Sequence, residues 1–303
     1  MSKKTTETHD KNEDAAKPGT DVAEIKNSGG ALINAPDFLN EEDYGGIGFE
    51  GVDKDSFAIP FLQVLQKMSP LVDEDSPKYI QGAKAGMIYN SVTGALYDGK
   101  AGLILVPCAY KRSYILWGGR EGDGGFKGEF TTEQFAGFVE NKEVTMLNGK
   151  AYVPGENGIV VEKKSDYYAD TRSHYVIFID PVTGDAGIAV VALSSTLTKA
   201  SRVLMTLLQQ KKVNTPQGKK TPPTFANLVR FTTVPMSNDK GSWSGAKFEL
   251  EGMVADKQLF EDAKDFYRNI NSGKVKADHS KAEFESTGNA DGGVGEGGEA
   301  ENF

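Results

Sequence analysis

Apolar positions along the chain fall mostly into short runs between turn residues, the signature of strands, and only two longer stretches repeat at helical spacing. The first dense run, Ala58-Ile59-Pro60-Phe61-Leu62-Gln63-Val64-Leu65, predicts a short helix opened by Pro60 and closed before Ser69-Pro70. Gly86 to Asn90, Leu103-Ile104-Leu105-Val106 and Tyr114-Ile115-Leu116-Trp117 predict antiparallel strands, the first followed by a turn at Ser91 to Gly94. A glycine-rich loop at 118–125 and a short helix from Thr131 to Val139 come next, and Asn148-Gly149 marks a two-residue hairpin turn. Ser173 to Ile179 and Gly187 to Leu193 flank Asp180-Pro181-Val182-Thr183-Gly184-Asp185 and predict a second hairpin.

After Ser194 the period changes to 3.6, predicting a helix to about Lys212 with Leu197, Leu204 and Leu208 inward and Lys199, Arg202 and Gln209 outward. A lysine-rich loop leads to strands near Phe225–Val234 and Trp243–Val254. A last helix, about Ala255 to Asn271, carries Leu259, Phe260, Ala263, Phe266, Tyr267 and Ile270 on one stripe. The expected fold is therefore α+β, with an antiparallel β-rich core and two amphipathic helices. A modified OB-like barrel is one architecture that fits.

Composition changes this picture at the ends. Residues 1–55 carry six basic and thirteen acidic residues with few aromatics, and residues 285–303 hold six glycines, five acids and no base. Such segments bury too little apolar surface to offset the entropy of ordering them. The expected organisation is a disordered acidic arm at 1–55, one α+β domain at 56–275 and a disordered acidic, Gly-rich tail at 276–303.

The formal net charge of −9 conceals a strong asymmetry. Residues 199–247 contain nine basic residues (Lys199, Arg202, Lys211, Lys212, Lys219, Lys220, Arg230, Lys240 and Lys247) against the single acid Asp239. A cationic surface for a polyanion, with anionic arms that compete for it, is one reading; a solvated lysine-rich loop is the plainer one.

Several chemistries lack their residues. One cysteine and three histidines give neither a disulfide framework nor a Cys/His zinc site, and no apolar run is long enough for a transmembrane helix or a secretion signal. There is no phosphate-binding loop, no dinucleotide fingerprint at a strand-to-helix junction and no Gly-x-Ser-x-Gly elbow. His174 lies inside a strand, where a hydrogen-bonded core histidine is the simpler reading, and Cys108 reads as a small buried residue. Asp73-Glu74-Asp75 could hold a divalent ion, but neighbours on one loop seldom converge on a point. The expectation is a soluble, non-enzymatic protein without cofactor or metal.

Binding of single strands needs a cationic groove for the backbone and ring faces on which bases stack. Tyr110, Lys111, Arg112, Tyr114 and Trp117 interleave both, as do Tyr168, Arg172 and Tyr175, and further clusters surround Arg230 and Trp243 to Lys247. Lys199, Arg202, Lys211, Lys212, Lys219 and Lys220 add phosphate-neutralising charge. Each ring taken alone is explained as well by the core of a β domain.

The tail ends in Glu296, Glu299, Glu301 and Phe303. A flexible polyanion with a terminal ring resembles the tails of bacterial and bacteriophage single-stranded DNA-binding proteins, including the T7-type phage family. The segment from Ile59 to Trp117 also looks like a phage early or replication-region protein. The resemblance implies that Glu296, Glu299, Glu301 and Phe303 contact replication, recombination or transcription proteins and compete with DNA for the groove. It further implies action in the host cytoplasm, with a homo-oligomer among the possible states. A virion structural or scaffold protein is the main competing expectation, and a carboxylate-metal nuclease ranks last.

Overall fold

The computed structural model describes residues 58–282 apart from 120, 123, 156 and 240, together with 37, 40, 42 and 48. The acidic arm, those four residues aside, and the tail beyond 282 therefore lie outside the described residues, as does Lys240.

Strands β1 (Leu62–Val64), β2 (Ile88–Asn90) and β3 (Leu96–Tyr97) form a small antiparallel sheet. The expected helix after Pro60 is thus a strand. Leu62, Gln63 and Val64 are all buried, Phe61 bridges to Val190, and the Pro60 carbonyl accepts the Val190 N–H. Pairing on both sides outweighs the helix-start signal of a proline.

The large sheet is built from β4 (Leu103–Trp117), β5 (Phe126–Phe130), β6 (Thr145–Leu147), β7 (Lys150–Tyr152), β8 (Tyr167–Ile179), β9 (Ala186–Ser194), β12 (Asn227–Asn238) and β13 (Gly241–Met253). Its order is β13-β12-β4-β8-β7-β6, with β5 also on β4 and β9 also on β8. All its pairings are antiparallel, and the sheet curls into a half-barrel, consistent with an OB-like α+β fold.

Two runs expected as separate strands are the halves of one fifteen-residue strand, β4. Its register against β8 shifts between Pro107 and Ala109, so Cys108 is an extra residue on the β4 side. This bulge reverses the alternation. Leu103 and Leu105 on one side of it face the same core as Tyr110, Arg112 and Tyr114 on the other, while Val106 and Cys108 face the opposite core.

Two helices cover the first face and one covers the second. α1 (Thr132–Glu140) starts at Thr131 with a reciprocal capping box to Gln134 and stacks Phe135 on Tyr114. α2 (Thr198–Gln210) buries Leu204 and Leu208 in the main core with Phe231, Phe248 and Val176. α3 (Lys257–Asn271), capped by Asp256, buries Ala263, Phe266 and Ile270 against Val106, Tyr175 and Val190 on the far face.

The body continues past residue 275. Ala277 and His279 are buried, and the Ala277 N–H donates to the Tyr175 hydroxyl at 3.3 Å. Close backbone approaches lock the small sheet to the large one. Thr233 N–H donates to the Gly99 carbonyl at 2.7 Å, and a Cβ on Gly99 would collide with the Gly86 carbonyl and the Thr233 hydroxyl.

Candidate nucleic-acid interface

The inward stripe of α2 places Ser201 beside Leu204, so its hydroxyl meets the sheet at His174 Nε2, 2.8 Å away. The opposite stripe is thereby fixed outward. Lys199 and Arg202 are exposed there, with no ion pair to a described residue.

Beyond the end of α2 the chain forms a hairpin of β10 (Val213–Thr215) and β11 (Gly218–Lys220), where the sequence pattern predicted a loop. Polar strands without alternation carry no period for such a reading to detect. The Lys212 ammonium donates to the Gln209 carbonyl and the Thr221 hydroxyl, and Lys211 donates to the Gly252 carbonyl at 2.8 Å. These bonds hold the hairpin on the end of α2. Lys219 and Lys220 stand exposed on its second strand. From Ala186 to Asn238 the chain has no Asp or Glu, so α2 and the hairpin joined to its end carry cations and no acid of their own, a cationic ridge in that sense. The helix alone contributes about 20 Å of its length.

A second row lies along β4. Tyr110, Arg112 and Tyr114 share a face at the roughly 7 Å spacing of alternate strand residues. The Tyr110 ring packs on His174 at 5.2 Å between centroids, the same His174 that bonds α2, so the row begins at the flank of the ridge. Tyr110 is 36% exposed. Arg112 grips Asp170 through Nε and Nη2, at 2.8 and 2.9 Å, and its Nη2 also donates to the Tyr114 hydroxyl at 3.2 Å. Arg172, opposite Arg112 in the register, reaches Asp170 at 3.6 Å.

Other residues singled out from the sequence are placed elsewhere. Trp117 and Tyr175 are sealed in the body, 7% and 3% exposed, so neither ring presents a stacking face. Tyr114 already stacks on Phe135 at 3.6 Å, and Tyr168 sits among Phe130, Phe135 and Phe138. These rings bind α1 to the sheet. Lys111 points to the α3 face, 5.6 Å over Tyr175. Arg230 and Lys247 lie on the strand face opposite Phe231 and Phe248, paired to Glu251 at 2.6 Å and Glu249 at 2.9 Å. Trp243, on the Lys247 side of β13, is half-buried, and its buried Nε1 has no acceptor. Glu296, Glu299, Glu301 and Phe303 fall outside the described residues.

The structure also brings together residues that the sequence pattern does not single out. Asp170 joins two arginines from neighbouring strands, and Phe135 and Phe138 build the aromatic seat of α1. A cation-aromatic-acid alternation on β8 is visible in the sequence, but its partner strand is not. His174 is a hydrogen-bonded core residue whose ring is held neutral: burial, then Arg172, push its pKa down to about 4. Burial pushes the Cys108 thiol up to about 12, which leaves it unreactive at neutral pH. Among the described residues no group of three or more His, Cys, Asp or Glu converges, and Asp73, Glu74 and Asp75 spread along a surface turn.

A family model described as Pam3 phage gp34-like protein matches residues 26–276. The chain belongs to this family. The Pam3 phage gp34-like match begins inside the acidic arm and ends next to the buried Ala277, so the family unit spans nearly the whole packed body. The phage affiliation expected from the sequence holds at that level. No curated protein and no solved structure matches the chain. Among the described residues no helix is long and apolar enough to cross a membrane.

Proposed function

We propose that this phage-family protein binds single-stranded DNA without sequence preference, as a non-enzymatic factor in replication, recombination or transcription. The observation that carries the reading is that exposed Lys199 and Arg202, and Lys219 and Lys220 on the hairpin joined to the same helix, stand on acid-free elements, while Tyr110 is exposed beside the His174 that bonds that helix. A flexible polyanion gains most from a row of cations that no internal carboxylate neutralises. The backbone follows the ridge, and a base leaving it meets Tyr110, whose ring stacks on any base.

Arg230, Lys247 and Lys111 take no part in this track, because they face the other side of the sheet. In this reading the acidic tail with Glu296, Glu299, Glu301 and Phe303 competes with DNA for the ridge and contacts partner proteins.

Titration of fluorescent oligo-dT at several salt concentrations tests the proposal. Affinity is expected to fall with salt at a log-log slope of about −0.7 per phosphate neutralised. Absent or salt-independent binding would favour a virion structural role, and magnesium-dependent loss of the oligonucleotide a nuclease.

A further inference from the structure

Arg172 is only 9% exposed, yet its charge is poorly matched. Its Nε is buried without an acceptor, and no hydrogen bond joins its guanidinium to another described residue. The nearest carboxylate, Asp170, stands 3.6 Å off with both oxygens already held by the fork of Arg112. A buried N–H in that condition is unfavourable, because the hydration that Nε loses is not replaced, while the terminal Nη groups keep open donors. Two arginines and one aspartate leave one surplus positive charge, which a single phosphodiester would cancel. The surrounding donors suit an oxyanion: the partly exposed Arg112 fork, the Tyr114 hydroxyl beside it and the unsatisfied Arg172 donors all lie on one face of two adjacent strands.

We infer that Arg172 and Arg112, oriented by Asp170, form a discrete seat for one phosphate of the bound strand, between the α2 ridge and α1. This deepens the single-strand reading and rests on it. Asp170 remains on the Arg112 fork and fixes its plane, while the phosphate oxygens take the donors that Arg172 leaves unused. Planar, forked donors favour arginine over lysine at such a position.

The test compares wild type, Arg172→Gln, Arg172→Lys and the remote control Arg268→Gln in two assays. In oligo-dT titration, Arg172→Gln is expected to lose roughly ten- to hundredfold in affinity and to flatten the salt slope by about 0.7. Arg172→Lys should recover the slope but little of the affinity, and Arg268→Gln should match wild type. In thermal unfolding, inorganic phosphate should raise the melting temperature of wild type above that in chloride of equal ionic strength. Arg172→Gln should show no such rise, while melting at or above the wild-type temperature without phosphate, since it removes a poorly compensated charge.

Wild type that binds oligo-dT together with an Arg172→Gln variant of unchanged affinity and slope would overturn the seat and leave the ridge reading standing. An Arg172-dependent phosphate shift without oligo-dT binding would support the seat with free phosphate as its source and overturn the strand reading. Loss of folding in Arg172→Gln, with a wild type blind to phosphate, would show that Arg172 is a structural residue and overturn the seat.

Discussion

His174 and Ser201 meet at 2.8 Å between the central strand β8 and the inner face of α2, inside the main core. The bond lies on the same inward stripe as Leu204 and Leu208, which decides which side of the helix faces water and with it where the cations of α2 stand. Tyr110 lies against the other side of the same imidazole. One residue thus touches both the exposed ring and the helix that carries Lys199 and Arg202.

That residue makes stability depend on pH. In the fold His174 stays neutral down to about pH 4, against its ordinary value of 6.5 in the unfolded chain. Between those values only the unfolded state takes the proton, so stability present above pH 6.5 is lost as pH falls toward 4, by about 3 kcal/mol. Burial holds His279 below its ordinary value as well, which acts in the same direction. Urea unfolding at about pH 7 and about pH 4.5 should show the loss, and His174→Gln should make the curve flatter. An equal slope in both proteins would refute the assignment.

Reversing the exposed charges on α2, Lys199→Glu with Arg202→Glu, should cut oligo-dT affinity by at least about tenfold and lower the salt slope by about 0.7 for each phosphate no longer neutralised. Both side chains are exposed, so the melting temperature should move little. The matching reversal Lys247→Glu, on the other face, should leave binding nearly intact.

Tyr110→Ala should weaken oligo-dT binding by about 1–3 kcal/mol, the range for one stacked base. Tyr114→Ala should lower stability and, through its hydroxyl at the proposed seat, oligo-dT affinity. It removes the partner on which Phe135 stacks, and α1 buries no residue of its own. A loss of about 2 kcal/mol, with earlier proteolysis in the 131–141 region, is the expected result.

Gly99→Ala should destabilise the protein by about 1–3 kcal/mol or more, since its methyl group would displace the Gly86 carbonyl from Thr233. Denaturant midpoints measure this directly; an unchanged midpoint would mean that the two sheets separate easily at that point.

Deleting residues 285–303 should tighten oligo-dT binding at low salt and have little effect at high salt, where screening already removes tail competition. Phe303→Ala should leave DNA affinity unaltered and weaken capture of replication proteins.

Much of the fold was legible because periodicity reports burial. Leu197, Leu204 and Leu208 are buried as their spacing required, the hairpin at Asn148-Gly149 forms with positive φ at both turn residues, and β8 and β9 pair around Asp180 to Asp185. The failures have one cause. Pairing partners distant in sequence turned the Pro60 run into a strand and fused two strands into β4, and cross-strand bonds made a hairpin of the lysine-rich segment after α2. In the candidate interface, the acid-free stretch that carries Lys199, Arg202, Lys219 and Lys220 was legible, since acids are missing from the sequence itself. Strand faces were not legible: Arg230 and Lys247 look like ridge residues until register places Glu251 and Glu249 beside them.

Cys108 illustrates how small the determining detail can be. By simple alternation, a strand that turns Leu103 and Leu105 inward would send Tyr110, Arg112 and Tyr114 toward α3, behind the sheet from every cation on α2. One supernumerary residue shifts the phase. A chain lacking it would keep its composition, its charge and most of its strands, and would carry its aromatic row on the α3 side.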